Sequence, residues 1–213
     1  RVVETWPSEK RAPFRMGHVW RAAKTVMSNR TVQLCTAAQA LCMTALFASL
    51  SSIHQIFDVT YGRADRFPWW FAFIALVAGG FSLLNAMLVI RLGMKRLLII
   101  AMSLMIGLTI VMLFLDQMVY ATGLPFIVYL VWQTAVFMHT SMTLGNLSAV
   151  AMEPMGAVAG MAASVITGLA TVGAVLFTVP IGLAFNDTAL PLMVGALISV
   201  SVALLLARRI EDV

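Results

Sequence analysis

The chain has 213 residues, of which 61% are hydrophobic and only 11% charged, with a mean hydropathy of +0.95 and a formal net charge of +5. An ordinary soluble domain carries about 25% charged residues, so a water-exposed globule is excluded and an all-α, polytopic membrane protein is expected. The apolar runs are continuous and do not alternate, which argues against a β-barrel, and the positive charge comes without base-stacking aromatics on a basic surface, so no nucleic acid is expected as a partner.

Residues 1–30 hold seven of the fourteen Lys and Arg residues, with Pro7 and Pro13 breaking any early helix. They are expected to be cytoplasmic: either a basic amphipathic helix from Phe14, with Trp20, Ala23 and Met27 on one side, resting on the anionic leaflet, or a solvated linker. The chain starts at Arg1 without an initiator Met or signal peptide, and a piece of something longer is expected.

Residues 31–213 are expected to form one transmembrane domain. Six apolar stretches follow, at about 31–57, 69–90, 97–115, 124–152, 156–185 and 190–207, each close to the roughly 20 residues that a bilayer requires. Twelve of the fourteen basic residues fall in segments that alternate onto one side of six spans: residues 1–30, then Arg91, Lys95 and Arg96, then Arg208 and Arg209. The other side keeps Arg63 and Arg66 beside Asp58, Asp65, Asp116 and Asp187. This is a positive-inside pattern with both ends cytoplasmic, and Trp69, Trp70 and Tyr120 fall at the outer edge as interface anchors. Two inverted groups of three spans are a common transporter plan, but no residue-level repeat is visible between 31–116 and 124–208.

No Asp, Glu, Lys or Arg lies well inside a span. No nucleophile–base pair, carboxylate pair, phosphate-cradling loop or metal-spaced Cys/His cluster is present, so neither enzyme chemistry nor a cofactor or metal is expected. Cys35 and Cys42 read as small packing residues, and Gly79-Gly80 as a packing or bending point. His54 and His139 are the ionisable groups left within the spans, and a titrating role for His139 is not expected. The first and fourth spans are the richest in polar groups and are expected to line a cavity, with the third and sixth facing lipid. Gln39 and Met43 on the first, and Gln133, Phe137 and Thr140 on the fourth, lie on helical faces suited to a greasy, adaptable pocket. Ordinary helix packing explains the same residues equally well. Gly156, Gly160, Ser164 and Gly168 fall four residues apart, a stripe of small residues that lets another helix backbone come close.

Three segments carry a resemblance. Glu4-Thr5-Trp6-Pro7-Ser8-Glu9-Lys10-Arg11 resembles the central cytoplasmic loop of major facilitator drug:proton antiporters, between their two six-helix halves. Arg91, Gly93, Lys95 and Arg96 resemble the second-half copy of the family's basic loop motif, with Ala86, Ile90 and Met94 standing where that motif has Gly, Asp and a basic residue. Asn146, Ala149, Pro154, Gly156, Ala159-Gly160, Ala163-Ser164 and Gly168 resemble the pattern of the bicyclomycin-resistance (Bcr/CflA-like) branch. The resemblance implies the C-terminal six-helix half of a major facilitator fold, in a bacterial inner membrane. It implies multidrug efflux by a proton-coupled antiporter, with alternating access around a midplane pocket. It also implies a missing N-terminal half that supplies the proton-carrying acids and packs against the small stripe. An importer of a metabolite, or a membrane scaffold without transport, are the alternatives.

Overall fold

The computed structural model describes residues 24, 26–119 and 123–210. Residues 1–23, with the loop-like segment Glu4–Arg11, lie outside the described residues, as does Tyr120. Among the described residues the chain is helical throughout, with no strand. Helical residues 26–28 precede six long α-helices: α1 (Arg30–Gln55), α2 (Phe67–Leu92), α3 (Met94–Met118), α4 (Phe126–Met152), α5 (Ala159–Leu183) and α6 (Leu190–Arg208).

Local chemistry sets the boundaries. The Asn29 side chain accepts a hydrogen bond from the Val32 N–H at 3.2 Å and caps α1. At its far end α1 runs into a π-helical turn, Ile56–Thr60, in which the Tyr61 N–H reaches back to the Ile56 carbonyl. Pro68 and Pro191 stand in the first turns of α2 and α6, where a missing N–H costs nothing. Gly93, at φ 76°, turns the chain between α2 and α3 in a single residue. Within the helices the hydroxyls of Thr36, Thr44, Thr109, Thr134, Thr140 and Thr143 donate to carbonyls one turn back. No polar hydrogen of these threonines is left unpaired in hydrocarbon.

Five of the six long helices are long and apolar enough to cross a membrane on their own, not the six expected. The exception is α4. At 27 residues its length suffices, but Gln133, Thr134, His139, Thr140, Ser141, Thr143, Asn146 and Ser148 dilute its apolar sequence. The bundle compensates for this polarity by surrounding α4: Gln133, Thr134, His139, Thr140, Thr143 and Asn146 are all buried.

Helix α1 packs on α4, α5 and α6, and helix α4 packs on α1, α2 and α3, while α3 and α6 touch each other. Exchanging α1 with α4, α2 with α5 and α3 with α6 leaves this pattern of neighbours unchanged. The Thr60 hydroxyl donates to the Asp187 carbonyl at 2.8 Å, and the Arg63 guanidinium lies 4.7 Å over the Phe126 ring. These contacts gather the end of α1, the start of α4 and the α5–α6 turn at one end of the bundle. Helices α1 and α4 therefore run in opposite directions, and the exchange inverts the chain: α1–α3 and α4–α6 form an inverted pair of three-helix units.

The most exposed spans are α2 and α5, with only 11% and 22% of their apolar windows buried, against 39% for α3 and 44% for α6. The third and sixth spans, expected to face lipid, are thus better covered within this chain than the second and fifth, which were expected to border the pocket or a missing half. Helices α3 and α6 are each wedged between a central helix and the other, whereas α2 lies on α4 and α5 lies mainly on α1, with a smaller contact to α4. The bare faces of α2 carry Trp69, Leu76, Leu83 and Ile90, and those of α5 carry Val172, Leu176 and Leu183. Large side chains of this kind in continuous rows are stable against lipid or another apolar surface, not against water.

Candidate functional site

Polar side chains cross between helices at three levels. The Ser148 hydroxyl on α4 donates to Gln39 Oε1 on α1 at 3.2 Å. Asn146 Nδ2 donates both to Asn85 Oδ1 on α2 and to the Met142 carbonyl, each at 2.8 Å. Nearer the opposite end, the indole N–H of fully buried Trp132 donates to Thr109 Oγ1 on α3 at 3.1 Å. Each bond ties α4 to a different neighbour, and interhelical bonds of this kind contribute roughly 0.6–2 kcal/mol in a membrane.

The pocket residues expected from sequence do not converge. Gln39 spends its amide oxygen on the α1–α4 seam. Gln133 lies fifteen residues before Ser148 on α4, about 22 Å along the helix axis. It belongs to a separate group at the other end, where Tyr129 OH donates to its Oε1 at 3.1 Å. Thr140 is buried with its hydroxyl on the Val136 carbonyl, and Met43 is half-buried on α1. Phe137 meets the edge of Phe71 on α2 at 5.9 Å. Gln133 and Phe137 therefore border one region, and Gln39 belongs to another.

That region is an aromatic plug closing the end of the bundle where α1 meets α2 and α4. Phe57 packs edge-on against Phe67, Phe126 and Tyr129, and Tyr61 packs against Phe126 and Tyr129. Trp70 also meets Phe126 edge-on, and Tyr129 leans on Trp132. Edge-to-face pairs of this type contribute about 0.5–1.5 kcal/mol each beyond area burial. At the rim, burial first and the charge of Asp116 second push the Tyr61 hydroxyl above the usual tyrosine range. The sequence offered a signal for this plug in the aromatics crowded between residues 57 and 71 and again between 126 and 137, but nothing in their spacing joins the two stretches. Inside the plug, Gln133 Nε2 is buried without a hydrogen-bond partner, so one donor remains for a molecule entering from this end.

The small stripe is divided by the backbone. Gly156 adopts φ 46°, ψ −119° inside the 3-10 segment Glu153–Val158, so it is a kink residue and not the first member of a helical row. Helix α5 begins three residues later, because a left-handed residue cannot continue a right-handed helix. Gly160, Ser164 and Gly168 do share a face of α5, and that face is exposed. A Cβ placed on Gly160 or Gly168 would meet nothing within 4 Å. The opposite face, Ala162, Ile166, Ala170 and Ala174, is buried. The close approaches within the bundle occur at glycines outside the stripe: a Cβ on Gly173 would lie 3.1 Å from Ala40 Cβ, and one on Gly195 2.6 Å from Ile181 Cδ1. Of the basic loop residues, Arg91 and Arg96 are exposed around the Gly93 turn, and Lys95 is half-buried.

Two cavities flank the central pair of helices. One, of about 450 Å³, is lined by Ala37, Ala40 and Leu41 of α1, Phe177 and Ile181 of α5, and Gly195, Ile198, Ser199 and Val202 of α6. The other, of about 140 Å³, is lined by Ala135, Met138, His139 and Met142 of α4, Phe81 of α2, and Ala101, Leu104, Met105 and Leu108 of α3. They are counterparts in register. Ala101, Leu104, Met105 and Leu108 have the spacing of Gly195, Ile198, Ser199 and Val202, and Ala135, Met138 and His139 have that of Ala37, Ala40 and Leu41. Phe81 answers to Phe177. The internal repeat that was not visible in sequence is therefore present in three dimensions, carried by position and not by residue identity or size.

Among known proteins, no family model, no curated protein and no solved structure matches this chain.

Proposed function

We propose that the chain is the C-terminal six-helix half of a major facilitator transporter, a proton-coupled antiporter that exports small amphipathic compounds from a bacterial cell across the inner membrane. The observation that supports this reading best is the inverted pair of three-helix units, which leaves the outer faces of α2 and α5 bare on either side of two polar central helices. In such a transporter the second half would cover those faces, and Gly160, Ser164 and Gly168 would let one of its helices approach α5 closely. Alternating access then consists of the two halves rocking about this seam. No acidic residue lies well inside a span, so the proton-carrying groups would belong to the other half. Arg91, Gly93, Lys95 and Arg96 would form the cytoplasmic turn of the basic loop motif.

Substrate would meet the aromatic plug and its free amide: Gln133, Phe137 and Tyr129 supply stacking surface and one hydrogen-bond donor, a combination that tolerates many amphipathic shapes. The test is accumulation of a lipophilic cationic dye in cells producing the whole gene product. Active protein lowers dye accumulation and a protonophore abolishes the effect. Unchanged accumulation with protein present in the membrane would reject export. Uptake of a metabolite, or assembly without transport, are the other readings; an importer of the same two-half plan would use the bare, small-residue face of α5 in the same way, and the dye test separates it from export.

A further inference from the structure

A third cavity, of about 450 Å³, lies where the chain enters α2 and is lined by Asp65, Arg66, Trp69, Trp70 and Phe73. Asp65 and Arg66 belong to the 3-10 turn Ala64–Arg66, and Trp69, Trp70 and Phe73 follow three to four residues apart on one face of α2. Of the five, Trp70 alone also packs on the aromatic plug, edge-on to Phe126. Asp65 and Arg66 are both exposed, and among the described residues neither forms an ion pair, although they are neighbours in sequence. The nearby Arg63 guanidinium is engaged instead over the Phe126 ring. The cavity therefore offers a cation and an anion, both unspent, beside indole and phenyl carbon. Trp69 is 79% and Phe73 49% exposed, and below them α2 runs on as an apolar span. Anchoring at a membrane edge accounts for the tryptophans. It does not account for a carboxylate among them, which lipid phosphates repel unless a cation stands between.

We propose that this cavity seats the head of a zwitterionic phospholipid carrying a primary ammonium group, a phosphoethanolamine head. The forked guanidinium of Arg66 suits the phosphate oxygens. The Asp65 carboxylate only accepts hydrogen bonds, so it favours an ammonium that has N–H groups to give over a quaternary one that has none. The open indole face of Trp69 adds a cation–π contact to the same ammonium. An anionic head without an ammonium would leave Asp65 facing phosphate. The volume lies within the range of about 300–1,000 Å³ usual for small-ligand sites. A lipid fits better than a soluble molecule with the same head, because Phe73 and the bare row of α2 that begins at Trp69 and Leu76 give the acyl chains apolar surface to lie on. The site requires that α2 crosses a bilayer and does not depend on export. Where a second half covers part of that row, the head sits at the end of the seam.

The experiment uses the full chain, purified in detergent and freed of lipid. It is titrated separately with dioleoyl phosphatidylethanolamine, phosphatidylcholine and phosphatidylglycerol, and bound lipid is counted by native mass spectrometry. The expected result is one phosphatidylethanolamine per chain, held about tenfold more tightly than either other lipid, the scale of one charge-assisted hydrogen bond. Arg66→Gln and Asp65→Asn change exposed side chains and leave the fold intact. Each is expected to remove most of that tenfold preference, and Asp65→Asn also to raise phosphatidylglycerol relative to phosphatidylethanolamine. Arg96→Gln, beyond the far end of α2, is expected to leave the preference unchanged. Equal binding of the three lipids, a preference for phosphatidylglycerol, or a preference that survives both Arg66→Gln and Asp65→Asn would each overturn the proposal. Glycerophosphoethanolamine, the same head without acyl chains, is expected to compete only weakly; competition equal to that of the lipid would overturn the choice of a lipid.

Discussion

The cavity against α1 and the cavity against α4 share a backbone frame and differ in chemistry. The first is lined almost wholly by aliphatic and aromatic carbon, with the Ser199 hydroxyl turned back to the Gly195 carbonyl. The second carries His139 and three methionines. The same contrast holds between the units. Helix α1 meets α5 mainly through small residues, with Gly173 against Ala40 and one long bond from the Thr178 hydroxyl to the Thr44 carbonyl at 3.4 Å, whereas α4 meets α2 through the side-chain Asn85–Asn146 bond and an aromatic contact. An inverted repeat can therefore keep its geometry with two different kinds of glue. Close packing of small residues and a few interhelical hydrogen bonds are interchangeable where lipid offers no hydrophobic drive between helices.

Five substitutions sharpen or break this comparison. The largest effect is expected from Gly160→Leu, on the open face of α5: dye export is abolished while thermal stability of the isolated chain is unchanged, since the added side chain meets nothing within the bundle. Normal export by that variant would remove the close-packing role. Gly195→Leu, on the tight face of α6 against Ile181, is expected to cost about 1–3 kcal/mol in a denaturant melt in mixed micelles, as overpacking does. Its counterpart already has a Cβ in Ala101, so the added bulk is unwelcome in only one unit. Next comes the reciprocal pair in the two cavities. His139→Leu is expected to stabilise the fold by about 1 kcal/mol and Leu41→His to destabilise it by about 1–3 kcal/mol. Equal and small effects for the two would show that the cavities tolerate imidazole alike. The smallest change is Asn85→Ala, which removes the one α2–α4 side-chain bond that Asn146 makes and is expected to cost about 0.6 kcal/mol, read from the same melt.

Much of the architecture was legible in sequence because it follows from quantities that add along the chain. Continuous apolar runs marked the long helices. Polar enrichment singled out α1 and α4, which are indeed the central helices, since buried amides and hydroxyls need partners that only the interior provides. What stayed hidden depends on distance in space. The Gln39–Ser148 pair joins residues more than a hundred positions apart in the chain, and nothing near Gln39 announces that its amide oxygen meets Ser148. Gly156 fitted a four-residue period perfectly, yet the Glu153-Pro154 break before it turns it into a kink. The repeat escaped notice because its two copies conserve placement while exchanging Leu for His, and Ala and Ser for Met. His139 itself was noticed, but the methionines that surround it come from two helices, and only folding brings Met105 beside Met138 and Met142.

The central claim is that six helices cross the membrane as two inverted units, including α4, whose own sequence is too polar to qualify. The connections on either side of α4 test this most directly. Single cysteines at Asp65, Arg96, Gln117, Glu153 and Asn186, all exposed positions, are introduced into the Cys35→Ala, Cys42→Ala background and labelled with a membrane-impermeant maleimide on intact cells. The account predicts labelling at positions 65, 117 and 186, and none at 96 and 153 until the membrane is permeabilised. Labelling of positions 117 and 153 from the same side would contradict it, because α4 would then not cross and the inverted pair could not form.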